Sequence, residues 1–197
     1  MAYPTIDAPY GLVPVKLLSG VPFVGLTRQY SIASAYDTNI FHGDAVKLVT
    51  GGTIERDTAD AAMTPIGVFL GCTFTDPSSG NVTFRQYFPA DTAASDIMAY
   101  VADGTDILFK AAVVSSGTTI GDLAITDIGA NVAGVNNAGS TITGNSKIAI
   151  LDTSATTNTL PFRIVALVEE TKNSSGGYTE AYVKWNAGHQ FDNATGI

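Results

Sequence analysis

The side chains best able to do chemistry in this chain are two histidines, one cysteine and a few paired carboxylates, and their spacing argues against a reaction. His42 and His189 are far apart, and neither stands in a His-x-x-x-His or Cys-x-x-Cys setting of the kind a metal or catalytic site uses. His42 precedes a turn and His189 lies in a polar tail, so both are expected to be surface or interface residues. Cys72 sits inside Gly67-Val68-Phe69-Leu70-Gly71-Cys72, an apolar run with no nearby histidine, and reads as a small buried hydrophobe rather than a nucleophile. The acid pairs Asp57/Asp60, Asp103/Asp106 and Glu169/Glu170 could in principle divide acid and base roles across a cleft. They fall near turns, where Asp is common for conformational reasons, and are too sparse for a calcium loop. The segment Gly139-Ser140-Thr141-Ile142-Thr143-Gly144-Asn145-Ser146 mimics a phosphate loop. It has Asn145 where the lysine belongs and no long helix after it, so a turn is expected. No Gly-x-Ser-x-Gly elbow occurs. The expectation is a protein that is not an enzyme, with no catalytic set, no metal site and no cofactor.

The elements that would position any site are short strands. Arg28, Tyr30 and Ile32 alternate with Gln29 and Ser31. Phe41-His42-Gly43-Asp44 predicts a turn into a strand over 45–50, and Gly51-Gly52 leads into a hairpin partner at 53–56. Thr64-Pro65 opens a strand over 66–74, and Pro77-Ser78-Ser79-Gly80-Asn81 turns it into a second arm over 82–88. A short helical turn is expected over 91–97, capped by Asp91. Strands at 98–101 and 107–109 flank Asp103-Gly104, a dipeptide favoured in tight hairpins. Small strands and loops fill 113–146, followed by a strand at 147–151 and an apolar run over 160–168 expected to be buried on both sides. Ser174-Ser175-Gly176-Gly177 predicts a turn before the clearest amphipathic strand. There Thr179, Ala181, Val183 and Trp185 share one face.

The expected fold class is therefore all-β: a compact β-barrel or β-sandwich with an extended N-terminal arm. The arm covers residues 1–25, where Pro4, Pro9, Pro14 and Pro22 disfavour helix and central strand while Leu12, Val13, Val15, Leu17 and Leu18 are apolar. It is read as lying on its own domain as an edge strand or on a neighbouring subunit. The β-rich domain covers 26–190 and a polar tail 191–197. Two related lobes, 26–112 and 113–190, fit an internal echo. His42-Gly43-Asp44 followed by Thr64-Pro65-Ile66 resembles Ile120-Gly121-Asp122 followed by Leu160-Pro161-Phe162.

Bulk composition sets the function class. Hydrophobic residues reach 45% while charged ones are only 14%, which supports a real core and a surface partly covered by partners. A net charge of −8 without a basic run disfavours nucleic acid, whose phosphates require Lys and Arg. The start Met1-Ala2-Tyr3-Pro4 lacks the basic and apolar regions of a signal peptide, and no apolar stretch reaches membrane-spanning length. Synthesis in the cytoplasm and no membrane partner are the corresponding expectations.

Several stretches carry a family likeness. Ala8-Pro9-Tyr10-Gly11-Leu12-Val13-Pro14-Val15, Thr27-Arg28-Gln29-Tyr30-Ser31-Ile32-Ala33 and Tyr36-Asp37-Thr38-Asn39-Ile40-Phe41-His42-Gly43-Asp44 resemble head proteins of marine and cyanobacterial tailed phages. Thr64 to Cys72, with Thr75-Asp76-Pro77, extends the likeness over most of the first half. The resemblance is to capsid decoration (cement) proteins. It implies a virion protein on the outer capsid surface, made in the host cytoplasm, binding the major capsid protein and itself as a homotrimer. The alternative is a tail or fibre component for host attachment. Candidate contact residues are Tyr3, Tyr10, Leu12, Val13, Val15, Leu17, Leu18, Tyr30 and Tyr36, since aromatic and apolar side chains give large contact at small entropic cost. Removal of residues 1–18 is expected to leave a folded protein that binds heads poorly.

Overall fold

The computed structural model describes residues 9–171, 179–186 and 188–192. The expected turn at 174–177 and the candidate Tyr3 lie outside them. The strands, in chain order, are β1 Val13–Leu17, β2 Arg28–Ser31, β3 Ala45–Leu48, β4 Ile54–Arg56, β5 Gly67–Thr75, β6 Val82–Arg85 and β7 Met98–Ala102. They continue as β8 Ile107–Ser116, β9 Thr119–Ile120, β10 Asn131–Val132, β11 Gly134–Val135, β12 Ala149–Leu151, β13 Phe162–Leu167 and β14 Glu180–Trp185. The helical structure among the described residues is one 3-10 turn, Ile125–Asp127. The chain is all-β, as its alternation predicts.

The strands form two sheets. One has the order β10-β13-β14-β8-β12-β11, with β1 and β9 also on β8. The other runs β2-β7-β5-β3-β4, with β6 on β5. In this second sheet Ile32, just past β2, makes one parallel bridge to Ile54 of β4. The sheet therefore curls until its edges approach at a point, without the ladder that would close it. The architecture is sandwich-like rather than a closed barrel.

Alternation along β5 and β7 separates two cores. Phe69, Cys72, Phe74, Ala99 and Val101 point into the curl of the second sheet, where they meet Ile40, Ile54, Ile66 and Phe88. Val68, Ala102 and Ala45 point the other way, onto a core shared with the first sheet that includes Phe109, Phe162, Ile164, Val183 and Trp185. A bulge in β5 between Phe69 and Gly71 keeps Phe69 and Cys72 on the same side despite three-residue spacing. Trp185 stacks on Phe162 with ring centroids 4.8 Å apart, filling the shared core.

Several local expectations are met. β3 and β4 pair antiparallel across Gly51-Gly52, β5 and β6 across 76–81, and β14 buries Ala181, Val183 and Trp185 on one face. Cys72 is buried, and burial pushes its thiol up to about 12. Residues 139–144 form a turn in which Gly144 N–H donates to the Ser140 carbonyl at 2.8 Å.

Other expectations are corrected. Asp103-Gly104 is not a hairpin: β7 belongs to the curled sheet and β8 to the other, so this loop carries the chain between sheets. The expected lobe boundary at 112/113 falls inside β8, whose ten residues pair β1, β14, β12 and β9 in turn. β13 is buried on one face only, with Arg163 exposed and donating from Nε to Asn131 Oδ1 at 3.0 Å. Asp91 has φ of +58° and caps no helix. His189 is not a tail surface residue. It is fully buried between the rings of Trp185 and Phe191, and burial lowers its pKa. The segment around it is docked as well, with Gln190 bonded through its side chain to both backbone groups of Leu48.

The N-terminal arm is the largest revision. β1 pairs antiparallel with β8, Val13 opposite Lys110 and Leu17 opposite Ile107. Leu12 is wholly buried in the shared core. Residues 9–17 are thus part of the domain, so removing residues 1–18 would take an edge strand and a core leucine out of the fold. Leu12 N–H donates to the Gly43 carbonyl at 2.9 Å, and both Gly11 and Gly43 have positive φ. A Cβ on Gly43 would lie 3.1 Å from the Leu12 nitrogen, so this crossing requires glycine.

Candidate interaction surface

The sequence-derived contact residues divide into anchored and free ones. Tyr10 donates its hydroxyl to Glu180 at 2.5 Å, and the Lys110 ammonium, 3.2 Å from Glu180, lies 5.1 Å from the Tyr10 ring centroid. Val13, Val15 and Leu17 are half-buried on β1, with Leu17 packed against the shared core. Leu12 is excluded as a contact residue in the folded domain because its side chain is inside it.

The two downstream tyrosines are also committed internally. Tyr30 donates to Asp103 at 2.7 Å. Burial, then that bond, pushes its phenol up to about 12. Tyr36 stacks on Phe88, and its hydroxyl accepts the Arg56 N–H; burial raises its pKa. Of the described candidates, only Leu18 is largely exposed.

Leu18 begins an apolar ribbon that the sequence reading missed. The chain turns at Ser19-Gly20, where Gly20 has φ of +90°. It then returns beside β1: Leu17 N–H donates to Val21 at 2.8 Å and Phe23 N–H to Val15 at 3.0 Å. Pro22, opposite Lys16, has no N–H to extend the ladder, and Gly25 at φ of +82° bends the chain away toward β2. Phe23 anchors the ribbon against the shared core. Leu18 (52% exposed), Val21 (52%), Val24 (78%) and Leu26 (54%) stand in solvent around it. The only available signal was apolar residues in a Gly/Pro-broken stretch, where no regular period can place them all on one buried face.

A polar junction joins the curled sheet to the 134–146 segment. Asp44, fully buried, accepts the Phe41 N–H at 2.8 Å and the Ser146 hydroxyl at 2.5 Å, and lies 3.0 Å from Arg56 Nε. Arg56 donates through Nη2 to Asn136 at 2.6 Å and to the Asn137 carbonyl at 2.7 Å. Burial raises the Asp44 pKa against the opposing pull of Arg56. Nearby, Asp57 is buried and accepts the Ala59 and Thr64 N–H groups, and burial raises its pKa too. Asp60 accepts the Asn136 N–H. The acids in this junction bond to backbone N–H groups and to polar side chains of neighbouring segments. Among the described residues no group of three or more His, Cys, Asp and Glu is placed to hold a metal ion.

A shallow depression of about 570 Å³ is lined by Ser34, Tyr36, Asp37, Lys47, Glu55 and Arg56 among others. No helix among the described residues is long and apolar enough to cross a membrane. No family model, curated protein or solved structure matches the chain.

Proposed function

We propose that this chain is a capsid decoration protein of a tailed bacteriophage, seated on the outer surface of the head and bridging major capsid proteins. The observation that carries the proposal is the exposed apolar ribbon from Leu18 to Leu26, anchored on the shared core by Phe23. Exposing four large apolar side chains within nine residues is costly unless a partner covers them. The family likeness of residues 8–15, 27–33, 36–44, 64–72 and 75–77 names the partner class. The role is mechanical: many modest contacts repeated over a lattice hold strongly through avidity, without a deep site. The net charge of −8 suits an outward position away from packaged nucleic acid. Threefold meeting points of capsid subunits would seat a homotrimer.

The test is co-sedimentation with expanded heads lacking this protein, with bound copies counted per head. Saturation at a number matching the threefold positions is expected, with binding lost in a Val21→Lys/Val24→Lys variant that melts normally. Absence of head binding, with binding to tails or host cells instead, would overturn the proposal in favour of the attachment apparatus.

A further inference from the structure

The outer face of the curled sheet is covered only in part. Val68 and Ala102 on that face pack into the shared core, but farther along the same strands the first sheet no longer covers it. Gly71, Thr73 and Thr75 of β5, Met98 and Tyr100 of β7, Gln29 and Ser31 of β2, and Val82 and Phe84 of β6 share this open part by register. Val82 is 77% and Phe84 63% exposed. Phe84 is held in place: its ring lies over Gly71, where a Cβ would come 2.8 Å from Cζ, and 6.1 Å from the Tyr100 ring centroid. On its outer edge β6 pairs with no strand among the described residues.

No side chain on this face is ionisable near neutral pH, in a chain of net charge −8. The charges at its rim are engaged locally. Asp96 accepts the Thr75 hydroxyl at 2.6 Å, Arg85 lies 3.5 Å from Asp76, and Arg28 lies 3.3 Å from Asp103. Two copies that each carry a net negative charge repel wherever acids face acids. They approach at least electrostatic cost across a neutral surface. The hydroxyl and amide groups of Ser31, Thr73, Thr75 and Gln29 both donate and accept, so they can bond to like groups on another copy. An apolar edge strand guarded by a single charge, Arg85, is also the kind of edge to which another chain adds.

We infer that the neutral face formed by β6, β5, β7 and β2 is the surface through which copies of this chain associate with one another. The inference rests on the proposed assembly role only in expecting self-association, and it assigns a surface separate from the head-binding ribbon. Analytical ultracentrifugation of the full chain without heads, up to about 100 μM where even weak contacts populate, tests it. Wild type should associate, and Phe84→Lys should weaken association roughly 30-fold or more, as loss of a central aromatic contact does. Lysine makes the chain less negative, so the loss cannot be assigned to added overall repulsion. Gln29→Lys, fully on the surface at the far edge of the face, should act in the same direction and keeps the test valid if Phe84→Lys misfolds. Val24→Lys on the ribbon should leave association unchanged. A monomeric wild type would overturn the inference, as would association that survives Phe84→Lys and Gln29→Lys or is lost with Val24→Lys. In a monomeric wild type, reduced head binding by Phe84→Lys would give the face to another protein. Failure of head binding alone leaves the ultracentrifuge result standing, so the two proposals fail separately.

Discussion

Replacing Arg56 with leucine should destabilise the fold by about 3–5 kcal/mol, the usual cost of leaving one buried partner of an ion pair alone. Asp44 is fully buried, and the Arg56 side chain is 11% exposed with its Nε 3.0 Å from the carboxylate. The Ser146 and Phe41 donors would remain but cannot neutralise a charge. Arg56 also holds Asn136 and the Asn137 carbonyl, so the substitution loosens the contact between the curled sheet and the 134–146 segment. For a chain of this size each kcal/mol lowers the melting temperature by about 2–4 °C, giving a drop of roughly 6–20 °C. The pH dependence is the sharper test. Burial already holds Asp44 above its unfolded value despite Arg56. For a carboxyl raised in the fold, the cost is absent below the unfolded pKa and grows as pH rises through the folded one. Removing the opposing cation raises the folded value further. The deficit of Arg56→Leu should therefore shrink as pH falls from 7 toward the ordinary carboxylate range, as Asp44 takes up a proton. Thermal and guanidinium melts at several pH values measure this. Asp44→Asn in the Arg56→Leu background should recover part of the loss at pH 7, because no buried charge is left. A deficit under about 1 kcal/mol, or one equal at all pH values with no recovery in the double variant, would refute the reasoning.

Two further outcomes follow from the packing. Leu12→Ala should cost about 2–5 kcal/mol because Leu12 is wholly enclosed, and deletion of 1–18 should abolish the cooperative melt by also removing β1 from β8; a truncated chain that melts like the full one would return residues 9–18 to the role of a detachable arm. Cys72, with its thiol raised to about 12 by burial, should resist a thiol reagent at pH 8 in native protein and react once the chain is unfolded; rapid stoichiometric labelling of native protein would contradict its placement in the core.

The amino-acid sequence by itself determined what depends on neighbours along the chain. Two-residue alternation placed β14 and its buried face, and Gly-Gly and Pro-Ser-Ser-Gly turns placed the β3–β4 and β5–β6 hairpins. Short alternating runs punctuated by turn residues made an all-β chain legible, and an apolar context was enough to bury Cys72. Tertiary structure decided which strands share a sheet, because pairing joins segments with no local signal of each other. Asp103-Gly104 has the chemistry of a hairpin, yet β7 and β8 find better partners in different sheets. Leu12 and Leu18 look equivalent in sequence. One is sealed in a core by the passage of Gly43 beneath the chain, and the other stands in solvent because the ribbon turns back at Gly20. Asp44 read as a turn residue, and only the approach of Arg56 and Ser146 made it a buried junction between sheets. The neutral outer face of the curled sheet was hidden for the same reason. Alternation shows that a strand has two faces, but whether a second sheet covers the outer one depends on where that sheet ends.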